Sequence, residues 1–169
     1  MNGRFQRRRS PAESAPTHAS GEGEATRICL VEDQPAVIAA LVRLLETEPG
    51  FTVCGHAATL EGAHKLVGEH NPDVVLLDLG LGAESGFDLL SELRTIWEGP
   101  VLMVSVRSEN SNAVPALRAG ASGYLMKADI AECLIDAVHT ILRGEVYLSA
   151  AGQRLPGASE MMSARSRWR

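Results

Sequence analysis

The sequence predicts an α/β chain: a doubly wound, five-stranded parallel sheet in the order 2-1-3-4-5, flanked by five helices. Three observations carry that prediction. From Arg27 onward, short apolar runs alternate with helical patterns, at a repeat of roughly 25 residues, which is one strand plus one crossover helix. The run Val74 to Leu77 is apolar throughout, as a central strand covered on both faces requires. Polar residues close the successive runs: Glu32-Asp33, Asp78, Ser105 and Lys127. In an open parallel sheet the strand carboxyl ends share one edge, where such folds bind ligands.

Taken in order, the first strand is Arg27 to Val31. Pro35 then supplies a first helical position, and Val37, Ile38, Leu41, Leu44 and Leu45 make one helical face. Glu48-Pro49-Gly50 stops that helix, and Thr52 to His56 forms the second strand. Thr59 is placed to cap a helix that ends before Asn71-Pro72. The third strand, Val74 to Leu77, leads to a helix from Phe87 to Ile96; the fourth is Val101 to Val104. Its helix, near Asn112 to Ala119, should be short or mobile, because Pro115 is tolerated only in a first turn. The fifth strand is Gly123 to Met126. Asp129 with Glu132 reads as a capping box for the last helix, which Gly144 ends.

Residues 1–25 mix Arg, Ser, Pro, Gly and Glu without apolar periodicity and are expected to be disordered. Residues 26–149 form the predicted domain, and residues 150–169 a tail or truncated linker with no apolar repeat. Composition narrows the function classes. Apolar content of 45% supports a real core, and no apolar run approaches the roughly 18 residues of a membrane span. The basic start lacks an apolar stretch behind it, so a secretory signal is not expected. Cys29, Cys54 and Cys133 fit no metal motif and no disulfide framework, which favours reduced thiols and a cytoplasmic setting. The middle of the chain is acidic, with 17 acids against 8 bases over residues 26–149, a poor surface for nucleic acid.

The chemistry gathers at the strand ends. In the order 2-1-3-4-5 the first and third strands are neighbours where the winding reverses, so Glu32, Asp33 and Asp78 meet. Three close carboxylates repel unless a cation joins them, and a small all-oxygen set suits Mg2+. Capping of the first helix is the plainer reading for Glu32 and Asp33 taken alone. Asp78 is the candidate nucleophile toward a phosphoryl centre, giving an aspartyl-phosphate. Lys127 brings a compact positive charge and Ser105 a hydroxyl donor. Tyr124 reads as core aromatic from periodicity, or as a ring that repacks on phosphorylation. The five histidines show no nucleophile–base spacing, and Gly80, Gly82 and Gly86 match no nucleotide-binding loop.

Four segments carry a resemblance: "ICLVEDQPAV", "PDVVLLDLGLGAESGFDLL", "VLMVSV" and "LRAGASGYLMKADIAECLIDAVHTILRGEVYLS". Together, over Ala25 to Ser149, they resemble the receiver domains of two-component response regulators. The last is especially similar to the subgroup of LuxR, NarL and FixJ type, whose regulators carry a C-terminal helix-turn-helix. The resemblance implies Asp78 as phosphoacceptor, Glu32 and Asp33 as metal-binding acids, and the Gly80 backbone carbonyl as a further metal contact. It implies Ser105 and Tyr124 as a switch pair and Lys127 as the phosphate-binding lysine. It further implies a sensor histidine kinase or histidine phosphotransfer protein as donor, with pairing of two copies through the first or last helix as an option. The sequence departs from the family pattern at Gly82 and Ala128, where proline is frequent, and at Pro115. The end, "MMSARSRWR", is similar to the beginning of a LuxR-type helix-turn-helix, but no recognition helix follows in this chain, which leaves either a stand-alone receiver or a truncated regulator.

Three functions compete on these residues. The first is a phosphorylation-controlled switch, related to transcription regulation, that is not a turnover enzyme beyond self-phosphotransfer and slow autodephosphorylation. The second is a metal-dependent phosphohydrolase, which needs a further acid two residues past the nucleophile, where Gly80 stands. The third is a phosphorylation-independent dimerisation or interaction module, against which the intact Asp78, Ser105 and Lys127 argue.

Overall fold

A computed structural model of the protein describes residues 25–82, 85–106, 112–150, 152–154 and 156–165. The extension expected at residues 1–24 and the closing residues Arg167, Trp168 and Arg169 lie outside the described residues. The strands are β1 (Thr26–Val31), β2 (Phe51–Ala57), β3 (Val74–Asp78), β4 (Val101–Ser105), β5 (Gly123–Met126) and β6 (Tyr147–Leu148). They form one parallel sheet in the order β2-β1-β3-β4-β5-β6. The helices are α1 (Pro35–Leu45), α2 (Leu60–His70), α3 (Gly86–Ile96), α4 (Ala113–Arg118), α5 (Ile130–Leu142) and α6 (Ala158–Arg165). The winding reverses between β1 and β3, as the flavodoxin-like order requires.

Period-two alternation in the strands sorts the core into two layers. Ile28, Leu30, Val74, Leu76, Leu102, Val104 and Leu125 face α1 and α5, packing on Leu41, Leu45, Leu134 and Val138. Cys29, Val31, Val75, Leu77, Met103 and Tyr124 face the other way, toward α2, α3 and α4. Every residue of β3 and β4 is buried, which is why their sequences show no polar alternation. Full burial of each such leucine or valine is worth about 1.5–3 kcal/mol.

Local chemistry fixes several boundaries as expected. The Thr59 hydroxyl accepts from the Gly62 N–H at 3.1 Å, and Asn71 leaves α2 in the left-handed region at φ 42° before Pro72. Pro115 is the third residue of α4, inside its first turn, and α4 is only six residues long.

Two expectations are corrected. Among the described residues the sheet has six strands rather than five, and there are six helices rather than five, the sixth packing on α4. Strand β6 has two residues and no periodicity of its own; it forms because β5 offers an open edge. Gly123 pairs with Tyr147 there, and a Cβ on Gly123 would stand 2.9 Å from that of Tyr147. The sixth helix, α6, comes from the tail, which carries no apolar repeat: Ala158 is fully buried and Met161 packs on the layer that includes Val114 and Leu117 of α4. Finally, Asp129 sits at the cap position of α5 but makes no side-chain cap bond. A 3-10 turn over Lys127–Asp129 runs straight into α5, so the Ile130 N–H bonds the Lys127 carbonyl instead.

Candidate functional site

The sheet register builds the site. Val31 pairs with Leu77, so the next residues, Glu32 and Asp78, emerge side by side at the carboxyl edge. Asp78 pairs with Val104 and Ser105 with Met126, which brings Ser105 and the following Lys127 to the same edge. Glu32, Asp78 and Ser105 are buried, with 2%, 3% and 2% of their surface exposed. Buried polar groups at that depth need partners.

For Glu32 and Asp78 the shared partner is Lys127. Its ammonium lies 2.6 Å from Glu32 Oε2 and 3.1 Å from Asp78 Oδ2. Burial by itself lowers the lysine pKa, but the hydrogen bond to Glu32 and the charge of Asp78 outweigh it and hold Lys127 above its ordinary value. Glu32 also accepts the Gln34 N–H through Oε1 at 3.0 Å. Gln34 is the cap residue of α1 and offers no side-chain cap, so Glu32 both serves the helix start, as the plainer reading had it, and binds the ammonium. The Gly80 N–H donates to Asp78 Oδ1 at 3.2 Å, and the Gly80 carbonyl accepts from the Gly82 N–H at 3.0 Å.

One carboxylate oxygen of each of Glu32, Asp33 and Asp78 lies within 4.8 Å of the other two. Asp33 contributes the orphan: its Oδ1 is buried and has no hydrogen-bond partner. Among the described residues, three carboxylates face one ammonium, which leaves an excess of negative charge. A hard divalent cation with oxygen ligands fits both the charge and the orphaned oxygen.

Tyr124 is 1% exposed and lies on the α2–α3–α4 side of the sheet. Burial pushes its phenol up, while hydrogen-bonding influence from Ser105 and Asn112 pulls it partly back. The hydroxyl makes no well-aligned hydrogen bond. The core reading of this residue holds, and its polar end adjoins Ser105. Sequence reasoning placed Asn112 at the start of the fourth helix but missed its influence on Tyr124. It also missed the glycines as structural parts. A Cβ on Gly86 would stand 2.6 Å from the Asp78 carbonyl oxygen, so glycine lets α3 start directly against the Asp78 backbone. Gly82, at φ 52°, comes within 3.3 Å of Asp33 Oδ2 at its Cβ position.

Among the described residues, no helix is long and apolar enough to cross a membrane. Residues 28–139 match the response regulator receiver domain family. The nitrate/nitrite response regulator protein NarL of Escherichia coli K12 is 34% identical over 129 residues, covering 76% of this chain and 60% of that protein. The transcriptional regulatory protein KdpE of Mycobacterium tuberculosis is 42% identical over 102 residues, covering 60% of this chain and 44% of that protein. This chain thus spans less than two thirds of the length of these relatives. Among solved structures, a LuxR-family two-component response regulator from Aurantimonas sp. SI85-9A1 superposes with a TM-score of 0.71 at 29% identity, over 85% of this chain and 99% of that one. The receiver domain of NarL from Mycobacterium tuberculosis gives 0.67 at 28% identity, over 72% and 99%. The acidic edge, its buried lysine and these similarities agree: the chain belongs to the response regulator receiver domain family of two-component systems, among relatives that regulate transcription.

Proposed function

We propose that this receiver accepts a phosphoryl group on Asp78 from a sensor histidine kinase or histidine phosphotransfer protein and uses it to switch a partner-binding surface. The observation that carries the reading is the buried contact of 3.1 Å between Asp78 and Lys127, beside two further carboxylates. An isolated surface aspartate has no use for such surroundings; a nucleophile toward a doubly charged phosphoryl group does.

Glu32, Asp33, Asp78 and the Gly80 carbonyl are the groups that would hold Mg2+, which, when bound, neutralises charge on the phosphoryl oxygens. The remaining work falls to the chain. Asp78 Oδ2 attacks phosphorus, and the donor imidazole leaves with the bonding pair. Lys127 keeps its proton, because its pKa is raised, and balances the new negative charge. Ser105 donates its hydroxyl to a phosphoryl oxygen, drawing the end of β4 inward. Tyr124 then gains room beside Ser105 and repacks, which alters the surface formed by α4 and β5. On this reading the protein is a switch rather than a turnover enzyme. Its place is the cytoplasm, where the kinase domain works, and pairing of two copies through α1 or α5 is one outcome of the switch.

The test is labelling with acetyl phosphate in the presence of a magnesium salt. The wild-type chain takes up one phosphoryl group, and Asp78→Asn takes up none. Persistent labelling of that variant rejects Asp78 as the acceptor. A wild-type chain that binds no magnesium and takes up no label is instead a phosphorylation-independent interaction module.

A further inference from the structure

We infer that Cys29 and Cys54 form a peroxide-sensitive dithiol that closes an intramolecular disulfide between β1 and β2. Both thiols are free, and their Sγ atoms lie 3.1 Å apart. The sulfurs meet because the strand pairing slips: Ile28 faces Val53, but Cys29 faces Gly55, which leaves Cys54 as the extra residue of a bulge. Bulges re-aim side chains, and this one directs Cys54 to Cys29 and to the Ile28 carbonyl, 3.4 Å from its Sγ. Gly55 suits the arrangement, since a Cβ there would stand 2.5 Å from Leu66 Cδ1.

The two thiols differ in access. Cys29 is fully buried, whereas Cys54 is partly exposed on the edge strand of the sheet. Cys54 is therefore where an oxidant enters. Its sulfur attacks one oxygen of hydrogen peroxide, the O–O bond breaks, and Cys54 becomes a sulfenic acid as one water leaves. The Cys29 sulfur then attacks the Cys54 sulfur; the S–S bond forms, the S–O bond breaks, and the hydroxyl leaves as water with the Cys29 proton. Two thiols and one hydrogen peroxide thus give one disulfide and two waters. Cys29 has no exposed surface and burial pushes its thiol above its ordinary range, so Cys54 rather than Cys29 meets oxidant from solution. The cross-link pins the strand that carries Glu32 and Asp33 three and four residues further on. Cys133, on α5, packs in the opposite layer and is an internal control.

The experiment treats the full chain with hydrogen peroxide, alkylates it in denaturant and maps its peptides by mass spectrometry. The expected product has lost the mass of two hydrogen atoms, contains a peptide pair linking Cys29 to Cys54, and leaves only Cys133 open to alkylation. A thiol reductant restores all three. Cys54→Ser keeps Cys29 open to alkylation after peroxide, and Cys133→Ser leaves the cross-link in place. A product in which Cys54 carries two added oxygens while Cys29 still alkylates overturns the inference, as does a linkage that includes Cys133.

Discussion

Lys127 binds Glu32 at 2.6 Å, more closely than it binds Asp78 at 3.1 Å. The ammonium thus spans the carboxylates of two strands that are neighbours only because the sheet reverses its winding between β1 and β3. It lowers the repulsion of an acidic cluster that would otherwise oppose folding.

Removing the ammonium should expose that repulsion. Both side chains are nearly enclosed, at 10% exposure for Lys127 and 3% for Asp78, and breaking such a pair costs about 3 kcal/mol. Lys127→Met is expected to lose stability of that order in urea unfolding with chelator present, and to regain part of it with a magnesium salt. An unchanged midpoint would mean that the pair contributes nothing.

Asp33 tests the cation separately. Its orphaned Oδ1 makes no internal bond and its charge repels Glu32 and Asp78, so Asp33→Asn should lose no stability, and should raise the unfolding midpoint with chelator present. Magnesium affinity, measured by titration calorimetry, should fall on the order of tenfold, because the site loses one charged ligand. A large loss of stability with unchanged affinity would assign Asp33 to the fold instead.

Alkaline pH should destabilise the protein, and the sign follows from the raised pKa values. Burial and the Cys54 thiol raise Cys29; burial raises Tyr124 and Tyr147; and Glu32 and Asp78 overcome burial to raise Lys127. Unfolded, these groups titrate near about 8.5, 10 and 10.4 for cysteine, tyrosine and lysine. Above each of those values the folded chain holds more protons than the unfolded one, so stability falls as pH rises. These groups contribute no slope below about pH 8, and a decline above it. Cys29→Ala should move the onset toward roughly pH 10, read by urea unfolding across pH.

Gly86→Ala should act through backbone packing rather than through charge. The added Cβ meets the Asp78 carbonyl oxygen at 2.6 Å and the Leu79 Cα at 2.7 Å, both backbone atoms that cannot swing away. Overpacking of this kind costs roughly 1–3 kcal/mol. Acetyl phosphate labelling should slow along with it, since α3 and the end of β3 must separate. Labelling at the wild-type rate would show that the Asp78 backbone position is not critical.

The alternation of apolar runs with helical patterns sufficed for the first five strands and five helices, because each carries an apolar run or a periodic apolar face of its own. Asp78 and Lys127 were legible for a related reason: a polar residue ending a buried strand has one edge on which to emerge. Strand β6 and helix α6 were not legible. Tyr147–Leu148 is a strand only because β5 leaves backbone groups open, and Ala158 is buried only because α4 lies beneath it. The Cys29–Cys54 contact was hidden for the same cause, since a slip in register between β1 and β2 sets it. Sequence by itself determined which segments carry their own hydrophobic periodicity and which side chains end them. Tertiary structure alone decided pairings that depend on a partner surface, because such energies belong to two segments at once and leave no pattern in either.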